Sequence, residues 1–182
     1  MTLTLTRLCA VVSVFAVLTA CGKAPLEEAV AKNDRKEVAK AIEAGGDVNE
    51  ELSNGDTPLL AAVKNAQSSS AQGLIEAGAD IQVRDADGNS LLHHAARNGM
   101  TGICNLLIER GIPVNDKGQG GVTPLQLAIV GRRQETAKFL VRRGADLDQK
   151  DDAGVSPMDV VIRSGDTRFQ GDLEIAAKLS RQ

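Results

Sequence analysis

The 182-residue chain has 21 Lys and Arg against 24 Asp and Glu, a formal net charge of −3, 42% hydrophobic residues, three Phe, and neither Trp nor Tyr. The acidic balance argues against a nucleic-acid binder, which needs a basic face to displace counterions from phosphate, and the scarcity of rings removes the stacking platform of single-strand binders. A core of Ala, Leu, Val and Ile suits thin helices packed closely, and the length fits one ordinary domain.

Residues Met1 to Arg7 are short and end in one positive charge, and Leu8 to Leu18 form an apolar run. That run is too short for a membrane span of roughly 20 residues and suits the core of a signal peptide. Leu18-Thr19-Ala20-Cys21 then resembles the bacterial lipobox, in which a small residue precedes a lipid-modified cysteine. The resemblance implies cleavage of residues 1–20 and a diacylglycerol thioether on Cys21. It places the protein in a bacterial cell envelope, and Gly22 in place of Asp favours the outer membrane, facing the periplasm, if the host has one. Acyl chains at about 0.8 kcal/mol per buried methylene make such an anchor effectively permanent. Residues 21–182 keep 20 basic and 24 acidic side chains, since Arg7 is the one charge removed. Cys9 leaves with the signal and Cys21 carries lipid, so Cys104 has no disulfide partner and stability must come from packing.

From there a period of 33 governs the chain. Gly45, Gly78, Gly111 and Gly144 are spaced by it, and so are Gly22, Gly55, Gly88, Gly121 and Gly154. After the second series come Asp56-Thr57-Pro58-Leu59, Asn89-Ser90-Leu91-Leu92, Val122-Thr123-Pro124-Leu125 and Val155-Ser156-Pro157-Met158. Around the first lie Gly45-Gly46-Asp47-Val48-Asn49, Gly78-Ala79-Asp80-Ile81-Gln82, Gly111-Ile112-Pro113-Val114-Asn115 and Gly144-Ala145-Asp146-Leu147-Asp148. The pattern resembles the ankyrin repeat, with its T-P-L-H-x-A opening and G-A-D-V-N close. The resemblance implies an all-α solenoid of about five 33-residue helix-turn-helix repeats with β-hairpin fingers. The repeats run approximately 22–54, 55–87, 88–120, 121–153 and 154–182.

Each repeated element has a physical reading. Thr57, Ser90, Thr123 and Ser156 are N-caps, and the Pro after three of them sits where a missing N–H costs nothing. Leu59, Ala62, Leu92, Ala95, Leu125 and Ala128 form a narrow apolar stripe on a first helix. Val38, Ala41 and Ile42 begin a stripe on a second, continued by Leu74 and Ile75, Leu107 and Ile108, and Leu140 and Val141. That helix stops at a Gly able to take positive φ. Two copies depart from the pattern. Gln67-Ser68-Ser69-Ser70 reads either as a mobile loop or, preferably, as a serine-capped helix. The last repeat is polar, as an end facing water should be, with its second helix near Leu173 to Leu179.

Candidate chemistry is sparse. His93, His94 and Cys104 invite a thiol-nucleophile or metal reading. However, the resemblance gives His93 a structural role, and Cys104 fills a packing slot shared with Val38, Ala71 and Ala137. His94 is either a partly buried polar substitution or a local contact. Asp85, Asp87, Asp151 and Asp152 fall in turns, where Asp is at home. No cofactor or metal site and no enzymatic activity is expected.

What remains are residues that packing does not specify. In ankyrin proteins the finger tips and the exposed turns of the inner helices bind partners. The resemblance carries that role to Glu51, Ser53, Asn54, Asp56, Lys64 and Asn65, then to Arg84, Asp87, Asn89, Arg97 and Asn98. It continues with Lys117, Gln119, Val122, Val130 and Gly131, then Lys150, Asp152, Val155 and Arg163. Val122, Val130 and Val155 are read as an exposed apolar patch. The function implied is a membrane-anchored module that grips one protein. Its concrete form is an immunity protein neutralising a secreted toxin such as a type VI phospholipase; the alternative is a structural or protective factor docking a resident periplasmic enzyme.

Overall fold

The computed structural model describes residues 23–180; the signal segment and Cys21 lie outside the described residues. Among the described residues the chain forms ten α-helices in five consecutive pairs. They are α1 (Lys23–Ala31) with α2 (Arg35–Glu43), α3 (Pro58–Lys64) with α4 (Ser68–Glu76), and α5 (Leu91–Asn98) with α6 (Thr101–Glu109). Then come α7 (Pro124–Val130) with α8 (Gln134–Arg142), and α9 (Pro157–Ser164) with α10 (Thr167–Leu179), which is 13 residues long.

Local chemistry sets the helix starts. The Thr57 and Thr123 hydroxyls accept from the Leu60 and Gln126 amides, each at 3.3 Å, and the Ser156 hydroxyl accepts from the Asp159 amide at 3.1 Å. Pro58, Pro124 and Pro157 open their helices. The stops are equally local. After α2 the Gly45 and Gly46 amides bond back to the Ile42 and Ala41 carbonyls, and the pair recurs at Gly78 and Ala79, Gly111 and Ile112, and Gly144 and Ala145. This double closure satisfies carbonyls that the helix leaves free and needs φ > 0 at the first residue. Those glycines adopt φ of 88–100°.

The finger hairpins expected from the repeat pattern are not strands. Each is a short turn in which the Leu52, Asp85, Gly118 and Asp151 amides donate to the Asp56, Asn89, Val122 and Val155 carbonyls and the glycine at 55, 88, 121 or 154 donates back to the turn's first carbonyl. Among the described residues only Arg84 and Ser90 form an antiparallel bridge. Aspartates take the amides that a ladder would use: Asp85 Oδ1 accepts from the Asp87 and Asn89 N–H groups, and Asp151 Oδ1 from those of Ala153 and Val155.

The serine run also departs from expectation. Residues 68–76 are helical, but Gln67 holds the cap position and makes no side-chain cap bond. The cap comes from the preceding repeat, where Asn33 Oδ1 accepts from the Ser69 and Ser70 amides at 3.0 and 3.1 Å. Ser70 is buried and donates to the Val30 carbonyl.

One apolar core runs through all five pairs. Leu26, Leu59, Leu92 and Leu125 occupy one slot, Ala29, Ala62, Ala95 and Ala128 the next, and all are buried. Small residues in the second slot let neighbouring first helices approach closely. On the second helices Val38, Ala71, Cys104 and Ala137 share a slot, as do Ala41, Leu74, Leu107, Leu140 and Leu173. Burying each of these leucines stabilises the fold by about 1.5–3 kcal/mol.

Candidate partner-binding surface

The fingers are tied to one another by side chains reaching one repeat ahead. Asn49 Oδ1 accepts from the Asp80 amide at 2.8 Å, and Asn115 Oδ1 from the Asp146 amide at 2.9 Å. The intervening rung is missing: Gln82 replaces the asparagine, and the matching position is Pro113, which has no N–H to offer. Other contacts join those two fingers instead. Arg84 bonds both oxygens of Asp116 at 2.9 and 3.1 Å and the Gly88 carbonyl at 2.8 Å. Gln119 donates its side-chain amide to Asp87 at 3.2 Å and its backbone N–H to Asn89 at 3.1 Å.

Under this edge lies a second set of ties. His93 is fully buried and spans two repeats: Nδ1 accepts from the Ser90 amide at 3.2 Å, and Nε2 faces the Val122 carbonyl at 3.0 Å. A backbone donor on one nitrogen and a backbone acceptor on the other fix the neutral tautomer with its proton on Nε2. Burial pushes its pKa below the ordinary histidine value, outweighing the Val122 bond and the Asp116 charge, which favour protonation. One repeat on, Gln126 makes the same bridge, accepting from the Thr123 amide at 2.9 Å and donating to the Val155 carbonyl at 2.8 Å. In α9 the slot is Asp159, which accepts from the Ser156 amide at 2.9 Å and has no proton to donate.

Ser90, His93 and Asp116 together suggest a hydrolase triad, but their wiring is wrong for one. The Ser90 hydroxyl (2.9 Å) and Asp116 (3.8 Å) both face Nδ1, and the far nitrogen serves a backbone carbonyl. A triad needs serine and carboxylate on opposite nitrogens. For Asp116, burial alone would raise the pKa, yet hydrogen bonds from Arg84 and Ser90 hold it below the usual carboxylate range. His94 Nε2 bonds Asp85 Oδ2 at 2.7 Å, joining α5 to its finger. Burial opposes ionisation of Asp85 too, but bonds from Asn89 and His94 lower its pKa. Cys104 is fully buried, and desolvation pushes its thiol up to about 12, which keeps it from acting as a thiolate. Among the described residues no group of three or more His, Cys, Asp or Glu could hold a metal ion.

The residues assigned to partner contact divide by what already holds them. Arg84, Asp87, Asn89 and Gln119 join neighbouring fingers, and Lys117 reaches the Lys150 carbonyl at 3.4 Å. The Asp152 amide donates to the Gly120 carbonyl at 2.9 Å. Lys64 pairs with Asp56 at 2.8 Å, Asn54 donates to Asp56 at 3.3 Å, and Ser53 donates to Glu27 at 2.8 Å. Asn98 donates to the Val63 and Lys64 carbonyls. The side chains of Glu51, Arg97, Lys150 and Arg163 are exposed and have no hydrogen-bond or ion-pair partner among the described residues. Asn65 is exposed and caps α3 through its backbone, and Gly131 does the same for α7. Of the three valines only Val130 is exposed, at 65%; Val122 and Val155 are half-buried at the finger bases.

Sequence reasoning missed the series at 33, 66, 99, 132 and 165, the turn between the helices of each pair. Asn33, Ala66, Gly99, Arg132 and Gly165 all adopt positive φ, from 53° to 76°. Only two of the five are glycine, so the composition gave no signal.

A family model described as Ankyrin repeats (3 copies) matches residues 26–118 and, in an overlapping placement, 67–151. No curated protein matches the chain. Matches spanning residues 26–151, together with helix pairs in register at a period of 33, show that the chain belongs to the ankyrin repeat family.

Proposed function

We propose that this protein is a lipid-anchored binding module of the bacterial envelope that serves as an immunity protein, occluding a toxic effector such as a secreted phospholipase. Ankyrin repeats are a protein–protein interaction module. The observation that carries the reading is the fixed edge of cross-linked fingers, where Glu51 and Lys150 are exposed without a hydrogen-bond or ion-pair partner among the described residues, as Arg97 and Arg163 are at the ends of α5 and α9. A surface already ordered by its own hydrogen bonds loses little entropy when it is gripped. The Leu18-Thr19-Ala20-Cys21 motif supports a mooring by fatty acyl chains, which keeps the binder with the cell that made it.

The test is capture of partners by the acylated chain from detergent extract, with mass spectrometry and an activity assay of whatever is bound. A delivered toxin whose activity is blocked on binding supports the immunity role; a resident periplasmic enzyme left active overturns it. In the same cells Cys21→Ala should abolish incorporation of labelled palmitate and move the protein to the soluble fraction.

A further inference from the structure

We infer that a crevice between α7 and the last helix pair seats an apolar side chain of the partner, with a carboxylate following it in the partner's chain. The inference rests on the binding-module reading and places an anchor point away from the finger edge.

The crevice holds about 400 Å³ and is walled by Ile129, Val130, Val160 and Phe169. Ile129 and Phe169 are buried and form its floor, whereas Val130 stands open at its lip. The slot of Val130 holds Lys64, Arg97 and Arg163 in repeats two, three and five and the small Ala31 in the first, so a large apolar side chain stands there only in repeat four. A recess of this kind, closed on one side by aliphatic and aromatic carbons, is what an anchoring side chain fills at a protein interface.

Charge at the rim decides what accompanies it. Asp166 is occupied internally, one oxygen accepting from the Phe169 amide at 2.9 Å and the other from Gln134 Nε2 at 3.2 Å. Arg132, which also lines the crevice, is exposed and has no hydrogen bond or ion pair from its guanidinium among the described residues. Its backbone has φ 56°, in a slot that is glycine at positions 99 and 165. A long side chain kept in a conformation that disfavours it, with no hydrogen bond or ion pair in return, points to a role outside the fold. A free guanidinium beside an apolar recess pairs best with a carboxylate, which it can bind through two parallel bonds.

The test titrates the ¹⁵N-labelled full chain with capped hexapeptides in a Gly/Ser background. One carries Leu followed by Asp, a second Leu followed by Lys, and a third Ala followed by Asp. Saturable amide shifts at Val130, Gln134, Ser164 and Phe169, at least fivefold tighter for the Leu-Asp peptide than for either control, are expected. Arg132→Gly, whose backbone suits the slot, should weaken that binding at least fivefold with the rest of the spectrum unchanged. Val130→Lys should do the same by restoring the residue type of repeat two. Absence of saturable shifts, equal binding of the Leu-Lys peptide, or indifference to Arg132→Gly overturns the proposal. So does tighter binding of octanoate, which would give the crevice to a free fatty acid, or shifts that follow protein concentration alone, which would give it to a second copy. A chain that captures its toxin but ignores the peptides keeps the immunity role and loses the crevice; one that binds the Leu-Asp peptide but captures no toxin keeps the crevice and loses the immunity role.

Discussion

Two side chains show how single residues carry the physics of this array. Ala66 is exposed, with φ 57° in a turn where Gly99 and Gly165 adopt φ of 76° and 74°. A left-handed backbone costs an L-residue about 1–2 kcal/mol, partly offset by the greater entropy that glycine loses on folding. Ala66→Gly should therefore stabilise the protein by about 0.5–1 kcal/mol, read as a higher urea midpoint at unchanged slope. His93 links the fold to pH. Its folded pKa lies below the unfolded value of about 6.5. The unfolded chain therefore takes up a proton first as the pH falls, and the neutral, bridged state loses stability below about pH 6.5. The loss can be no steeper than about 1.4 kcal/mol per pH unit for one proton. His93→Gln, which installs the side chain that Gln126 uses in the same slot, should keep the bridge and flatten the stability profile between pH 5 and about 6.5. An unchanged slope would show that another group titrates there.

At the level of the element, much of the helical framework can be read directly from residues, and the exceptions have identifiable causes. Thr57, Thr123 and Ser156 cap the helices that their sequence positions assign to them, and the glycines at 45, 78, 111 and 144 close the second helices. The fingers were harder to read because Asp85 and Asp151 compete for the very amides that a strand ladder needs. The cap of α4 was invisible locally because its acceptor, Asn33, lies in the preceding repeat. The candidate site was less legible still. A charged residue at a finger tip looks the same in sequence whether it meets a partner or, like Arg84, its own neighbour. Finger cross-linking makes a contrast that can be measured. Asn115→Ala removes bonds to the Asp146 amide and the Gly144 carbonyl and should cost about 0.5–1.5 kcal/mol. Gln82→Ala, facing a proline, should cost less than about 0.5 kcal/mol in the same denaturation assay.

Across the whole molecule, position within the stack sets the value of a contact. The slot filled by Val63, Ala96 and Ile129 is buried wherever a further helix pair packs on it, and Ile162 in the same slot is 56% exposed. Ile162→Gln should shift stability by no more than about 0.5 kcal/mol, while Leu107→Ala, in the middle of the core, should cost about 2–5 kcal/mol. Asp159 fits the same logic, since no finger among the described residues follows α9 to receive a donor.

Among the described residues the longest side-chain hydrogen bond spans 41 residues of chain, well short of two repeats. An object stitched only to its immediate neighbours behaves under tension like a zip. Pulled from its two ends, the protein would lengthen in steps of one helix pair, shedding load while the remaining pairs stayed folded.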